Sequence, residues 1–296
     1  MKHISVLQNE IIEYLDPKAN NTFIDCTADG GGHTFQILEK TQPKGKVLAI
    51  DWDQDMISNL KTKSKELKLQ DRLILVNDSF SNLEEIVKRE KINKVNGILF
   101  DLGFSSYHPD ESGRGFTFQK NEPLDMRYDV NNQLTAEKIV NFYSENDLEK
   151  IFKEYGEERF AKEIAKEIIA ERRNQEIKTT FQLVNIIKRA IPERYQHQKI
   201  HLGTRVFQAL RIAVNDELNN IQKGLEQALN IADSGTRVVV ISFHSLEDRI
   251  VKNFIKEKES KNLIQGLTKK PISPKRQEII INPRSRSAKL RAFKKI

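Results

Sequence analysis

Residues 25–34 read DCTADGGGHT. The short apolar run Thr22-Phe23-Ile24 precedes them, and a helix-like stretch from His33 through Leu38 follows. Three glycines thus stand where a strand turns into a helix. Glycine adopts positive φ freely and lets a ligand approach the main chain closely. The surrounding text repeats the alternation. Strand-like runs at 22–26, 46–50, 73–76 and 97–102 are separated by helix-like runs at 33–40, 55–67 and 81–91, the last with a capping-box start at Ser81-Asn82-Leu83-Glu84. This rhythm predicts an α/β fold with a parallel sheet covered by helices on both faces.

The alternation stops after residue 102. Residues 103–132 are loop-like and rich in Gly, Ser, Asp and Pro, and the text is then helical to about 188. Within 157–173, Phe160, Ile164, Ile168 and Ile169 fall on one stripe, and the 179–191 pattern ends at Pro192. One long helix is expected over 204–232, then a strand at 236–243 and a helix at 246–256. The economical division is a sheet domain in two parts, 1–112 and 203–296, interrupted by a helical domain, 113–202.

At 296 residues, 38% hydrophobic and 31% charged, the composition is that of a soluble globular protein. No apolar run approaches a membrane span. The amphipathic start MKHISVLQNEIIEYLD does not read as a signal peptide. Cys26 is the only cysteine, so no internal disulfide forms and the cytoplasm is the expected compartment. At a strand end it reads as a small core residue rather than a nucleophile. The net charge of +7 is uneven: residues 261–296 hold a single acid, Glu278. Such a basic tail fits an anionic partner, nucleic acid first, or simply a solvated tail.

Ligands of open parallel sheets bind at the carboxyl ends of the strands. Here those ends carry Asp29-Gly30-Gly31-Gly32-His33, then Asp51, then Asp78-Ser79-Phe80, then Asp101-Leu102-Gly103. Asp51 follows the glycines at the spacing of a carboxylate that accepts from ribose hydroxyls. Phe80 offers a flat face for a purine and Asp78 an acceptor for its amino group. The pattern implies a nucleoside-bearing cofactor. The last glycine of the dinucleotide fingerprint and a Walker A lysine are both missing, which favours S-adenosylmethionine over a dinucleotide without closing the choice. A non-catalytic RNA-binding factor and a nicotinamide-dependent oxidoreductase are the competing classes.

Longer strings are more specific. They are DGGGHT at 29–34, AIDWD at 49–53, ILFDLGFSS at 98–106, RGFTF at 114–118, PLDMR at 123–127 and YGEERFAKEIA at 155–165. TRVFQALRIAVNDEL at 204–218, SFHSLEDRIVK at 242–252 and NPRSRSAKLR at 282–291 follow. With these the chain resembles, from end to end, the bacterial ribosomal RNA small subunit methyltransferase H family, which methylates N4 of a cytosine in 16S rRNA. The resemblance implies a class I (Rossmann-like) S-adenosylmethionine-dependent methyltransferase sheet with an inserted all-helical substrate-recognition domain. It implies a 16S rRNA substrate, within the small ribosomal subunit and at its decoding region. It implies cofactor contacts from Gly31, Gly32, His33, Asp51, Phe80 and Asp101, and one at the position of His108. There the family's Ser-Ser-Pro-Gln reads Ser105-Ser106-Tyr107-His108, so a histidine replaces the glutamine. Glu122, before PLDMR, stands where a glycine is common.

The implied chemistry is displacement at a sulfonium carbon, which needs alignment more than activation and no metal. An exocyclic cytosine amine is a weak nucleophile, so an acceptor at its N–H is expected. Asp101 is the candidate catalytic carboxylate, and a backbone carbonyl within 102–105 is the alternative. Phe104, Phe116 and Phe118 are candidates to receive the extruded base, or else to pack the loop. Arg114, Arg127, Arg284 and Arg286 are candidate phosphate contacts. His244 reads as a helix cap before it reads as a substrate contact.

Overall fold

The structure, a computed structural model, describes residues 5–103, 107–196 and 200–296. In chain order its elements are α1 (Gln8–Leu15), β1 (Thr22–Asp25), α2 (Gly32–Lys40), β2 (Lys46–Asp51), α3 (Gln54–Glu66), β3 (Leu73–Asn77), α4 (Leu83–Arg89) and β4 (Gly97–Asp101). Then come α5 (Tyr107–Asp110), α6 (Ala136–Phe142), α7 (Glu145–Gly156), α8 (Ala161–Arg172), α9 (Thr180–Ala190), α10 (Thr204–Asn215) and α11 (Glu217–Ile231). The chain closes with β5 (Arg237–Ser242), α12 (Ser245–Ser260), β6 (Ile264–Gly266), α13 (Arg276–Ile281) and β7 (Lys289–Lys295). Two compact units result, one from Met1–Gly103 with Leu218–Ile296, the other from Phe104–Glu217.

The first unit is a seven-stranded sheet in the order β3-β2-β1-β4-β5-β7-β6. Pairing is parallel from β3 to β5, and β7 runs antiparallel to both neighbours. Its strands are continuous apolar runs because both faces are buried. Phe23, Val47, Ala49, Leu99, Val239 and Ile241 point to one side, with Ile11, Ile37 and Leu60 of α1, α2 and α3. Ile24, Leu48, Ile50, Ile98, Phe100, Val238 and Val240 alternate to the other, with Ile86, Leu225 and Val251 of α4, α11 and α12. The chain crosses one way from β1 to β2 and the other way to β4. That reversal opens a crevice at the carboxyl ends of β1 and β4.

The inserted unit is helical, and it is longer at both ends than 113–202. The expected long helix over 204–232 is two helices, interrupted at Asp216, which is left-handed at φ 50°. Its first half, α10, belongs with the insert because it packs on α7. A Cβ on Gly156 would sit 2.6 Å from the Arg205 carbonyl oxygen, and Gln208 Nε2 donates to the Tyr155 carbonyl at 3.0 Å. No glycine or proline stands near Asp216 in the sequence to mark the break.

Two further expectations are corrected. The capping box at Ser81 does not form; Ser79 Oγ instead accepts from the Ser81 N–H, and a short 3-10 turn precedes α4. The basic segment 261–296 is not a tail. It supplies β6, α13 and β7, with Leu290, Ala292 and Phe293 fully buried in the sheet core. Its cations are partly consumed there, since Arg291 and Lys289 both meet Asp248. No helix among the described residues is long and apolar enough to cross a membrane.

Candidate active site at the strand ends

The DCTADGGGHT turn is built by its own backbone. Ala28 N–H donates to the Ile50 carbonyl and Gly31 N–H to the Ala28 carbonyl, which folds the chain back over β2. Asp29 and Gly31 take positive φ, 44° and 79°. Gly31 caps α2 at a place where a Cβ would lie 2.5 Å from both Leu60 and Phe35, so glycine is required for shape and for space. At Gly32 a Cβ would fall 1.7 Å from Ser5 Oγ. By contrast, open space surrounds Gly30.

Asp25 closes β1 beneath this turn, fully buried. It accepts from Thr34 Oγ1 at 2.6 Å and from the Thr27 N–H at 3.2 Å, and burial holds its carboxyl above the ordinary range. Thr27 Oγ1 accepts the Asp101 N–H at 2.7 Å and so links the ends of β1 and β4. His33 is buried, with Nε2 3.4 Å from Asp101 Oδ2. Neither ring nitrogen of His33, nor Asp101 Oδ1, has a hydrogen-bond partner among the described residues. An unsatisfied buried polar group costs about 1–3 kcal/mol, so three together at a switch point suit groups held for a ligand.

At the end of β2, Asp51 accepts from the Asp29 N–H at 2.8 Å and the Asp53 N–H at 2.9 Å, one on each oxygen. Burial pushes its carboxyl up to about 7 despite those two donors. Each oxygen keeps a second lone pair for a hydroxyl. Phe80 packs edge-on to Phe100 at 5.6 Å and lies 6.0 Å from Trp52, with its ring close over Gly224. Most of it is therefore core, and Trp52, which sequence reasoning passed over, flanks it. Asp78, the candidate purine acceptor, also braces its own turn. One of its oxygens caps Ser79 N–H and holds Asn82 Nδ2, and the other lies 3.5 Å from Arg89.

Gly31, Gly32, His33, Asp51, Phe80 and Asp101 thus share the sheet unit, while His108 lies in the inserted unit. There the His108 ring is buried 4.9 Å from both Phe116 and Tyr128. Phe116 stacks on Tyr128, and Phe118 stacks on His201. Both phenylalanines therefore pack the loop; Phe104, with Ser105 and Ser106, lies outside the described residues. Arg114 and Arg127 are not free phosphate contacts. Arg114 donates to the carbonyls of Arg127 and Tyr128, and Arg127 grips Asp125 with two nitrogens and the carbonyls of Val130 and Asn132 with a third. Glu122 fits where glycine is common because its Oε2 accepts the Gly115 N–H at 3.0 Å. Arg284 and Arg286 are exposed on the sheet unit.

Cys26 is buried and its thiol is pushed well up by burial, as suits a core residue. His244 is the cap of α12, its Nδ1 facing the Glu247 N–H while Glu247 Oε2 accepts from His244 N–H. Sequence reasoning missed Asp25 and Thr27 as parts of the site. Both lie in the string that pointed to the turn, but only their pairing with Thr34 and Asp101 reveals their use.

A sequence profile of the MraW methylase family matches residues 1–296. The Ribosomal RNA small subunit methyltransferase H of Thermosipho melanesiensis is 48% identical over all of this chain and 98% of its own length. Its namesake in Clostridioides difficile is 43% identical over 99% of each chain. In three dimensions the chain is similar to a Clostridium thermocellum protein solved as an rRNA-methylase, with a TM-score of 0.51 at 14% identity, over 99% of this chain and 100% of that one. That likeness supports the fold, an α/β Rossmann-like methyltransferase sheet. With strand order, strand-end chemistry and sequence in agreement over its whole length, the chain belongs to the MraW methylase family.

Proposed function

We propose that this protein transfers a methyl group from S-adenosylmethionine to the N4 amino group of a cytosine in 16S rRNA, in the decoding region of the small ribosomal subunit. The observation that carries the reading is the trio of buried polar atoms on His33 and Asp101, at the reversal between β1 and β4, that have no hydrogen-bond partner among the described residues. Beside them lies the glycine turn, with open space at Gly30. The rRNA substrate follows from relatives whose names state it.

The residues present fit the donor. Asp51 would accept from ribose hydroxyls, Phe80 and Trp52 would flank the adenine, and Gly31, Gly32 and His33 would hold the amino-acid end. His108 is the further contact that the family resemblance suggests. When bound, the donor supplies an electrophilic methyl on a sulfonium with a good leaving group. The chain's task is then alignment. Asp101 closes β4, and its Oδ1 has no hydrogen-bond partner among the described residues; it would accept an N–H of the incoming amine and so localise its lone pair. As the N–C bond forms and the C–S bond breaks, the surplus amine proton passes to that acceptor, or to the Leu102 carbonyl beside it. Asp25, through Thr34, fixes the start of α2 and with it His33. The inserted unit is assigned to substrate recognition.

The test is mass spectrometry of 16S rRNA nucleosides from cells with and without the protein, with calorimetry against S-adenosylmethionine and NADH. Loss of N4-methylcytidine and binding of S-adenosylmethionine alone are expected. Tight NADH binding, or an unchanged nucleoside profile, overturns the proposal.

A further inference from the structure

A base that leaves its stack leaves a gap, and an apolar side chain that enters the gap keeps the step open. Phe116 and Phe118 are taken up by packing against other rings of the inserted unit. The sheet unit carries an apolar pair with no such use. Ile280 and Ile281 end α13 at 71% and 69% exposure. Among the described residues no other two large apolar side chains adjacent in sequence are both exposed.

The pair stands in a strongly basic stretch. Residues 269–286 hold six cations, all exposed, and one acid, Glu278. Glu278 is consumed inside the unit, where its Oε1 accepts the Leu7 N–H at 2.8 Å. Lys275, Arg276 and Arg286 have neither an ion pair nor a side-chain hydrogen bond among the described residues. Lys289 and Arg291, a few residues on, are instead neutralised by Asp248. Cations left unpaired around an exposed apolar pair complement a polyanion that also offers apolar faces, and RNA is both.

Strand register fixes where this arm stands. β5 runs parallel to β4 with Ile241 beside Asp101, and β7 returns antiparallel with Lys289 beside Ser242. The 3-10 turn Pro283–Ser287, which leads into Lys289, and α13 just before it therefore stand at the carboxyl edge of the sheet, where the crevice opens. Ser285 pins the turn. It is fully buried and its Oγ donates to the Asn282 carbonyl at 2.7 Å, while Arg284 and Arg286 on either side are exposed. On its other flank α13 is tied to Leu7 through Glu278, and Ser5, two residues before Leu7, lies against Gly32 of the glycine turn.

We propose that α13 and the turn after it form an arm that holds the RNA open beside the crevice. Arg276 and Arg286 take phosphates near the target cytosine, and Ile280 and Ile281 wedge into the base step that it vacates. Apolar wedges flanked by basic side chains are the means by which minor-groove proteins part base steps. RNA is favoured over a lipid surface because the arm stands at the edge through which a base reaches the crevice. The inference rests on the RNA substrate proposed above.

The test uses the full chain and an RNA hairpin containing a cytosine, labelled with fluorescein for anisotropy or with 2-aminopurine beside the cytosine to report unstacking. Arg276→Ala and Arg286→Ala should each lower the salt slope of binding by about 0.7–0.9. Ile280→Ser/Ile281→Ser is expected to weaken binding about tenfold and to abolish the rise in 2-aminopurine fluorescence, and Ile280→Leu/Ile281→Leu to restore both. Melting temperature and S-adenosylhomocysteine affinity should stay unchanged in all of them. Unaltered RNA affinity and slope in the Arg276→Ala/Arg286→Ala double variant overturn the arm. An undiminished fluorescence rise in the double serine variant overturns the wedge. Binding to phosphatidylglycerol vesicles that the serine pair abolishes, with RNA affinity unchanged, overturns the inference in favour of a lipid surface. Binding is read without turnover, so the two proposals fail separately. A protein that opens RNA through this arm yet leaves 16S rRNA unmethylated refutes the proposed reaction alone.

Discussion

Two glycine-rich loops of this protein treat their polar side chains in opposite ways. In the loop around PLDMR nearly every charge is consumed. Arg127 spends itself on Asp125 and two carbonyls, Arg114 on two more, and Asn215 reaches in to bind the Tyr128 N–H and the Met126 carbonyl. In the turn at DCTADGGGHT neither nitrogen of the buried His33, nor Asp101 Oδ1, has a hydrogen-bond partner among the described residues. Both loops look equally functional as text. The hydrogen-bond account separates them: arginines that complete a loop are structure, whereas buried donors and acceptors left over at a strand end await a ligand.

The sharpest way to break that contrast is Gly31→Ala. The left-handed φ costs about 1–2 kcal/mol and overpacking against Leu60 and Phe35 about 1–3 more. Abolished binding of S-adenosylhomocysteine with a lowered melting temperature is expected. Normal binding would mean that the turn does not shape the site. Asp51→Ala should weaken the same ligand by about 1.5–3 kcal/mol and leave the fold intact; calorimetry decides, and unchanged affinity sinks the ribose assignment. Asn215→Ala addresses the other loop. It strips partners from a buried N–H and carbonyl, so a loss of about 1–3 kcal/mol of stability in denaturant melts is expected with ligand affinity preserved.

A smaller effect concerns pH. The Asp51 carboxyl titrates near 7 when folded and at 3.8 when unexposed to burial, so the folded state holds the proton more tightly. Its contribution to stability is therefore fully present at low pH and is lost as pH rises from 3.8 through about 7. Ribose hydroxyls donate to the anion, so ligand affinity should rise with pH across about 7, and Asp51→Asn should flatten that rise. A profile unchanged by the substitution assigns the titration elsewhere. The smallest expected effect is none at all: raising salt should weaken RNA binding steeply and leave S-adenosylhomocysteine affinity almost unaltered. Equal slopes would mean that the two ligands share the same charges.

The sheet was legible in advance because strands buried on both faces must be short apolar runs, and those at 22–26, 46–50, 73–76 and 97–102 were. The strand ends were legible because acids and glycines interrupt those runs at one point each. What escaped was everything decided by contacts distant in sequence. Asp25 shows its role only through Thr34 and Asp101. Arg114 and Arg127 look like phosphate ligands until the carbonyls that they hold are seen. The break at Asp216 is marked in the text by neither glycine nor proline, so the boundary of the inserted unit was placed too early. The segment 261–296 was judged by its charge, although Leu290 and Ala292 are buried on one face of the sheet and Phe293 on the other, as in a strand covered on both sides.

That strand has a consequence for the order of synthesis. β7 sits between β5 and β6, both of which leave the ribosome before it does. Until residues 289–295 arrive, β5 presents a bare edge and β6 has nothing to pair with. The parallel half, β1 to β4, waits in turn for β5, which follows the whole inserted unit. A nascent chain therefore carries unfinished sheet for most of its translation, a long-range topology that folds slowly and leaves a period in which unpaired edges meet other chains. The lysines and arginines crowded along β7 and its approach keep that late segment soluble while it waits.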